Sequence, residues 1–151
     1  MKRRLAMVVL LAIMAALGLA RAEGRELSDY FGRDIVSAAK ALGDLTYAEG
    51  TEFKDNYVND ALALRGNGGK VTCIELRNAR SGDSLCGVSV GMDRKSVKAF
   101  FEGFPMPWEY DEEIAWIVRA DESNELNSEM LVVFFDENGK VNGAWYRASG
   151  A

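Results

Sequence analysis

Few residues in this 151-residue chain could do chemistry, and histidine is not among them. Without an imidazole there is no Ser-His-Asp or Cys-His nucleophile, no His general base and no ordinary zinc site. Carboxylates, thiols and amines remain. Asp111-Glu112-Glu113 and Asp121-Glu122 are the grouped acids that general acid–base work would use. Both runs fall in polar stretches with no nucleophile or cation arranged beside them in sequence. They read as solvated loop charge, and a carboxylate-based hydrolase is the weakest of the functional readings. Asp136, Asn138 and the carboxylates of 121–129 offer oxygen ligands, but the D-x-[DN]-x-[DN]-G spacing of a calcium loop is missing. Gly66-Asn67-Gly68-Gly69 precedes a strand pattern rather than a helix, so it reads as a turn and not a phosphate loop. The chain is therefore read as non-enzymatic, with no cofactor and no metal.

The two thiols, Cys73 and Cys86, flank a polar turn, Asn78 to Asp83. If that turn lets its arms pair, the two cysteines fall almost opposite each other. In an exported chain such a pair is expected to be a structural disulfide, worth about 3 kcal/mol for so short a loop. The C-x-x-C spacing of a redox dithiol is absent.

Export is expected from the first 22 residues. Lys2, Arg3 and Arg4 precede an uncharged apolar run, Leu5 to Ala20, and Ala20-Arg21-Ala22 supplies a small-x-small cleavage site. The apolar run is short for a bilayer span of about 20 residues, so it reads as a cleaved signal and not an anchor. Residues 23–151 then form one domain, periplasmic or secreted. The whole chain carries a net charge of −5; removing four basic residues with the signal leaves 14 basic against 23 acidic, or −9. Such a surface repels nucleic acid and anionic lipid and favours cationic proteins or metal ions in solution.

The elements are laid out in two rounds. Asp34 caps a helix whose apolar face is Ile35, Ala38, Ala39 and Leu42, and Gly43 stops it. Strands are expected at 45–53, 57–64 and 70–77, with Gly66–Gly69 as a hairpin loop. Residues 84–90 look like another strand, feeding a second helix, 94–102, capped by Asp93 and stopped by Gly103, Pro105 and Pro107. Strands at 108–110, 114–119, 130–135 and 140–146 follow, the last two joined by Asp136-Glu137-Asn138-Gly139. Gly32, Asp34 and Ser37 fall on Gly91, Asp93 and Ser96, and Gly69-Lys70-Val71 falls on Gly139-Lys140-Val141. The expected fold is α+β. Two tandem helix-plus-three-strand units, about 27–78 and 84–148, build an antiparallel sheet with helices on one face.

The pattern Gly91-Met92, Val97, Gly103, Pro105, then Asn138-Gly139-Lys140-Val141, resembles the β-lactamase inhibitory protein-like domains and the related SmpA/OmlA domain of small outer-membrane assembly lipoproteins. The resemblance implies an exported, non-enzymatic domain that binds another protein with its sheet. The tandem arrangement is more similar to the inhibitor than to the single-repeat lipoprotein, and there is no lipobox cysteine. A structural role in envelope assembly is the alternative. No functional residue carries over. Large aromatics are frequent interface anchors, and Trp108, Tyr110, Trp116, Trp145 and Tyr146 all lie in the second half. They form the candidate binding surface, on whichever face the helices leave open. Trp145 and Tyr146 are adjacent in a strand, so they must face opposite ways. The open face could take another protein or a second copy of the chain.

Overall fold

The structure, a computed structural model, describes residues 24–50, 52–78, 82–101, 107–111, 115–119 and 129–148. The expected signal peptide and the carboxylates at 112–113 and 121–122 lie outside the described residues. A 3-10 turn, Leu27–Tyr30, leads into helix α1, Ile35–Leu42. Strands β1, Thr46–Tyr47, β2, Asp55–Val58, β3, Leu62–Asn67, and β4, Lys70–Leu76, come next. Helix α2, Arg94–Phe101, is followed by β5, Pro107–Asp111, β6, Ala115–Arg119, β7, Glu129–Phe135, and β8, Val141–Ala148. All eight strands belong to one sheet in the order β1-β2-β3-β4-β8-β7-β6-β5, and every pairing is antiparallel. The molecule is thus α+β.

The two helices start alike. Asp34 accepts the Ser37 N–H at 2.8 Å, and Asp93 accepts the Ser96 N–H at 2.7 Å, each satisfying a first-turn donor. Each helix entry is stitched to a hairpin. The Gly32 N–H donates to the Val71 carbonyl at 2.8 Å, and the Gly91 N–H to that of Val141 at 2.7 Å. Ile35 N–H reaches Gly69 O at 2.9 Å, and Arg94 N–H reaches Gly139 O at 3.0 Å. Val71 and Val141 return bonds to Arg33 and Met92.

One core cluster holds Ile35, Ala38, Ala39 and Leu42 of α1 and Val97 of α2. It also holds Leu64, Ile74, Leu131, Val133 and Ala144 from the sheet. Burying each of its Leu, Ile and Val side chains is worth about 2 kcal/mol. The β3–β4 hairpin turns on Gly68 and Gly69, both at positive φ (69° and 77°), which only glycine adopts without strain.

Three expectations are corrected. The strand expected over 57–64 is two strands. The Asn59 side chain accepts the N–H groups of Ala61 (2.8 Å) and Leu62 (2.9 Å), making a local turn that outcompetes strand continuation. The strand expected over 45–53 shortens to β1. Residues 84–90 do not form a strand with β4. Both edges of β4 are already taken, by β3 and β8. Leu85 and Val88 instead close a tight turn on each other, with Cys86 and Gly87 at φ 51° and 80°.

That last difference removes the Cys73–Cys86 disulfide. Neither cysteine is in a disulfide. Cys73 sits in β4 opposite Arg65 on one side and Arg147 on the other, whereas Cys86 lies in the turn that replaces the expected partner strand. What ties the turn down is Glu26. Its carboxylate accepts the backbone N–H groups of Cys86 (2.7 Å) and Gly87 (3.0 Å) and the Ser84 hydroxyl (2.7 Å). Beside it Arg25 grips the buried Asp83 through Nε (3.1 Å) and Nη2 (2.8 Å), and its Nη1 donates to the Leu42 carbonyl at the end of α1 (2.7 Å). An N-terminal strap therefore does the work expected of the disulfide.

Candidate binding face

The alternation of a strand decides which side chains share a face. In β4, Ile74 and Leu76 enter the core cluster, so Cys73 and Glu75 stand on the reverse face. Register carries that face across the sheet: Glu75 lies opposite Ala63 and Trp145, and Trp145 lies opposite Val132. In the neighbouring row Cys73 lies between Arg65 and Arg147.

Among the described side chains Trp145 is the reverse face's exposed ring, at 37% relative exposure. It meets Phe134 edge-on, centroids 5.2 Å apart, in the geometry that ring quadrupoles favour. Tyr146 points the other way. It packs against the core cluster with its ring 4.8 Å from that of Phe31. Tyr146 is thus a core-side residue and not part of an open surface. Trp108 and Tyr110 stand in β5, and Trp116 in β6; Trp108 is in register with Ile117, and Trp116 with Glu109. Of the five aromatics, Trp145 is the one that the described side chains place at an open surface.

Polar side chains missed in the sequence surround it. Glu75 is clamped between Arg65 (Nη1 to Oε2, 2.7 Å) and Arg77 (Nε to Oε1, 3.0 Å). Arg65 also donates to Asn56 Oδ1 at 3.2 Å. Arg147 approaches Glu52 at 3.9 Å, and its buried Nε has no hydrogen-bond partner. The signal was present in the alternation of Cys73-x-Glu75-x-Arg77 and Trp145-x-Arg147, which sets these residues on one face once the strand register is known.

The segment after β1 folds toward this face, bringing Glu52 to Arg147 and burying Phe53. It leaves an open cavity of about 240 Å3 lined by Gly50, Glu52, Phe53, Asn56 and Arg65. Cys73 is buried close by. Burial pushes its thiol up to about 11, against the partial relief given by the cationic Arg65 and Arg147. A thiol held so far into its neutral form is a poor nucleophile.

Among the described residues no three His, Cys, Asp or Glu gather as a metal site, and no helix is long and apolar enough to cross a membrane. Comparisons with family models, curated proteins and solved structures return no match for this chain.

Proposed function

We propose that the chain is an exported, non-enzymatic module that binds another protein through the reverse face of its sheet. The observation that carries this reading is Trp145. A large ring left 37% exposed at mid-strand, braced by Phe134 and sharing its face with Arg65, Arg77 and Arg147, is the composition of an interface centre. The raised thiol of Cys73 and the structural engagement of Glu26 and Asp83 also favour binding over catalysis.

The architecture is inferred to be two copies of one unit, helix then antiparallel meander, joined through β4 and β8 with both helices over the same face. The paired caps and the matched bonds Gly32–Val71 and Gly91–Val141 support a duplication. The shared core of Ile35 and Val97 supports helices on one side, which leaves for a partner the part of the reverse face around Trp145, since Ala63, Cys73 and Val132 on that face are already buried. A structural part in envelope assembly is the alternative use of the same face.

The test is capture from an envelope or culture-medium extract by the immobilised chain. Wild type and Val36→Ala, a change at an exposed helix position, should retain the same partner. Trp145→Ala should lose it. A soluble enzyme as that partner fits an inhibitor, and an outer-membrane complex fits assembly. Equal retention by Trp145→Ala contradicts the reading.

A further inference from the structure

Resting on the reverse face as the binding surface, we infer that its partner presents an acidic segment: carboxylates flanking an apolar side chain, laid across Trp145. The chain as a whole is acidic, with a net charge of −5, yet this face concentrates cations. Arg65, Arg77 and Arg147 gather on it, with Glu75 and Glu52 as the carboxylates they meet. Glu75 is only 17% exposed and both its oxygens are engaged, so its charge is already answered from within the fold. Glu52 is 66% exposed on a loop and stands 3.9 Å from Arg147, too far for a strong bond. Arg147 therefore keeps donor capacity to spare, and its Nε is buried without an acceptor. The Nε itself is out of a partner's reach, but the Arg147 side chain is 29% exposed, and a partner's carboxylate would be a charge-assisted acceptor for its terminal N–H groups. Arg147 lies two residues from Trp145 in β8, on the same face, so one short segment could reach both. Arg77 extends the cationic rim along β4 on the other side of Glu75. The occupant is thus complementary in charge to this face although like-charged with the molecule as a whole. Long-range repulsion would slow its approach, and local attraction would select it.

The probe is a displayed library of random peptides panned against the immobilised full chain. Enriched peptides should carry Asp or Glu beside an apolar residue. Their capture should fall about tenfold or more on Arg147→Gln, fall further on Arg77→Gln/Arg147→Gln, and weaken as salt rises. Both variants should keep the wild-type unfolding midpoint to within a few degrees. Neutral or basic enriched peptides that still depend on Trp145 overturn the acidic partner and leave the binding face standing. The same holds for acidic peptides held equally well by Arg77→Gln/Arg147→Gln. Peptides indifferent to Trp145→Ala, or no enrichment over bare support, overturn both the acidic partner and the face.

Discussion

Protonating Glu26 should loosen the strap that holds the 84–88 turn. Burial alone would raise its pKa, but hydrogen bonds from Ser28, Ser84 and Gly87 outweigh that and hold it below the usual carboxylate value. Because the folded value is the lower one, its stabilisation is complete above the unfolded pKa, near 4.5, and is lost as pH falls through the folded value. Asp34 and Asp93 are shifted the same way by the N–H groups of Ser37 and Ser96, so all three act together in acid. Glu26→Ala should lower stability by about 2 kcal/mol at pH 7, since the backbone N–H groups of Ser28, Cys86 and Gly87 lose their acceptor. Glu26→Gln should flatten the acid limb of a stability–pH curve measured by urea unfolding; an unchanged limb would assign that dependence to other carboxylates. The thiols give a second prediction at this scale. In non-reducing denaturant both Cys73 and Cys86 should titrate as thiols. In the native protein at pH 8 a thiol reagent should label Cys86 well before the buried Cys73. Cys86→Ser should cost about 1 kcal/mol, since Cys86 is partly buried against the core cluster, whereas loss of a structural disulfide would cost about 3 kcal/mol or more.

At the scale of elements, the helix entries and the hairpins constrain each other. Gly66 sits at a register shift in β3, where a Cβ would lie 1.8 Å from the Lys70 carbonyl oxygen. Gly66→Ala should therefore force the β3–β4 hairpin apart and cost about 3 kcal/mol or more in thermal unfolding. Gly68→Ala meets no neighbour and should cost only the strain of its positive φ, about 1 kcal/mol. These elements were legible because their signals are local. Asp34 and Asp93 as caps, Gly68-Gly69 and Asn138-Gly139 as turns, and the apolar face of Ile35 to Leu42 all depend on neighbours within one turn of chain. The 84–88 turn was not legible. Cys86, Val88 and Val90 alternate as they would in a strand, and only the occupation of both edges of β4 forbids it. Nor could Glu26 be read, since three of its acceptor bonds cross about 60 residues to Ser84, Cys86 and Gly87. The break at Asn59 was local and could have been read: Asn-Asp before an apolar run is a turn signal.

For the whole molecule, register decides which side chains meet. The adjacency of Trp145 and Tyr146 implied opposite faces, and Tyr146 against Phe31 with Trp145 against Phe134 is the arrangement found. Arg147 could be placed on the face of Trp145 by alternation within β8, but Arg65 and Arg77 could not before β8 was known to lie beside β4. Acidic bulk charge pointed toward cationic partners, while the local face is cationic; a sum over the chain says nothing of where charges sit. Trp145 is only 37% exposed, so Trp145→Ala should cost about 2–3 kcal/mol from lost burial and ring contact, and capture must be compared at equal amounts of folded protein. The most direct measurement is the comparison of partner capture by wild type, Val36→Ala and Trp145→Ala at matched folded concentration. Wild type and Val36→Ala should retain the partner and Trp145→Ala should release it; capture undiminished by Trp145→Ala would contradict the reverse face as the binding surface.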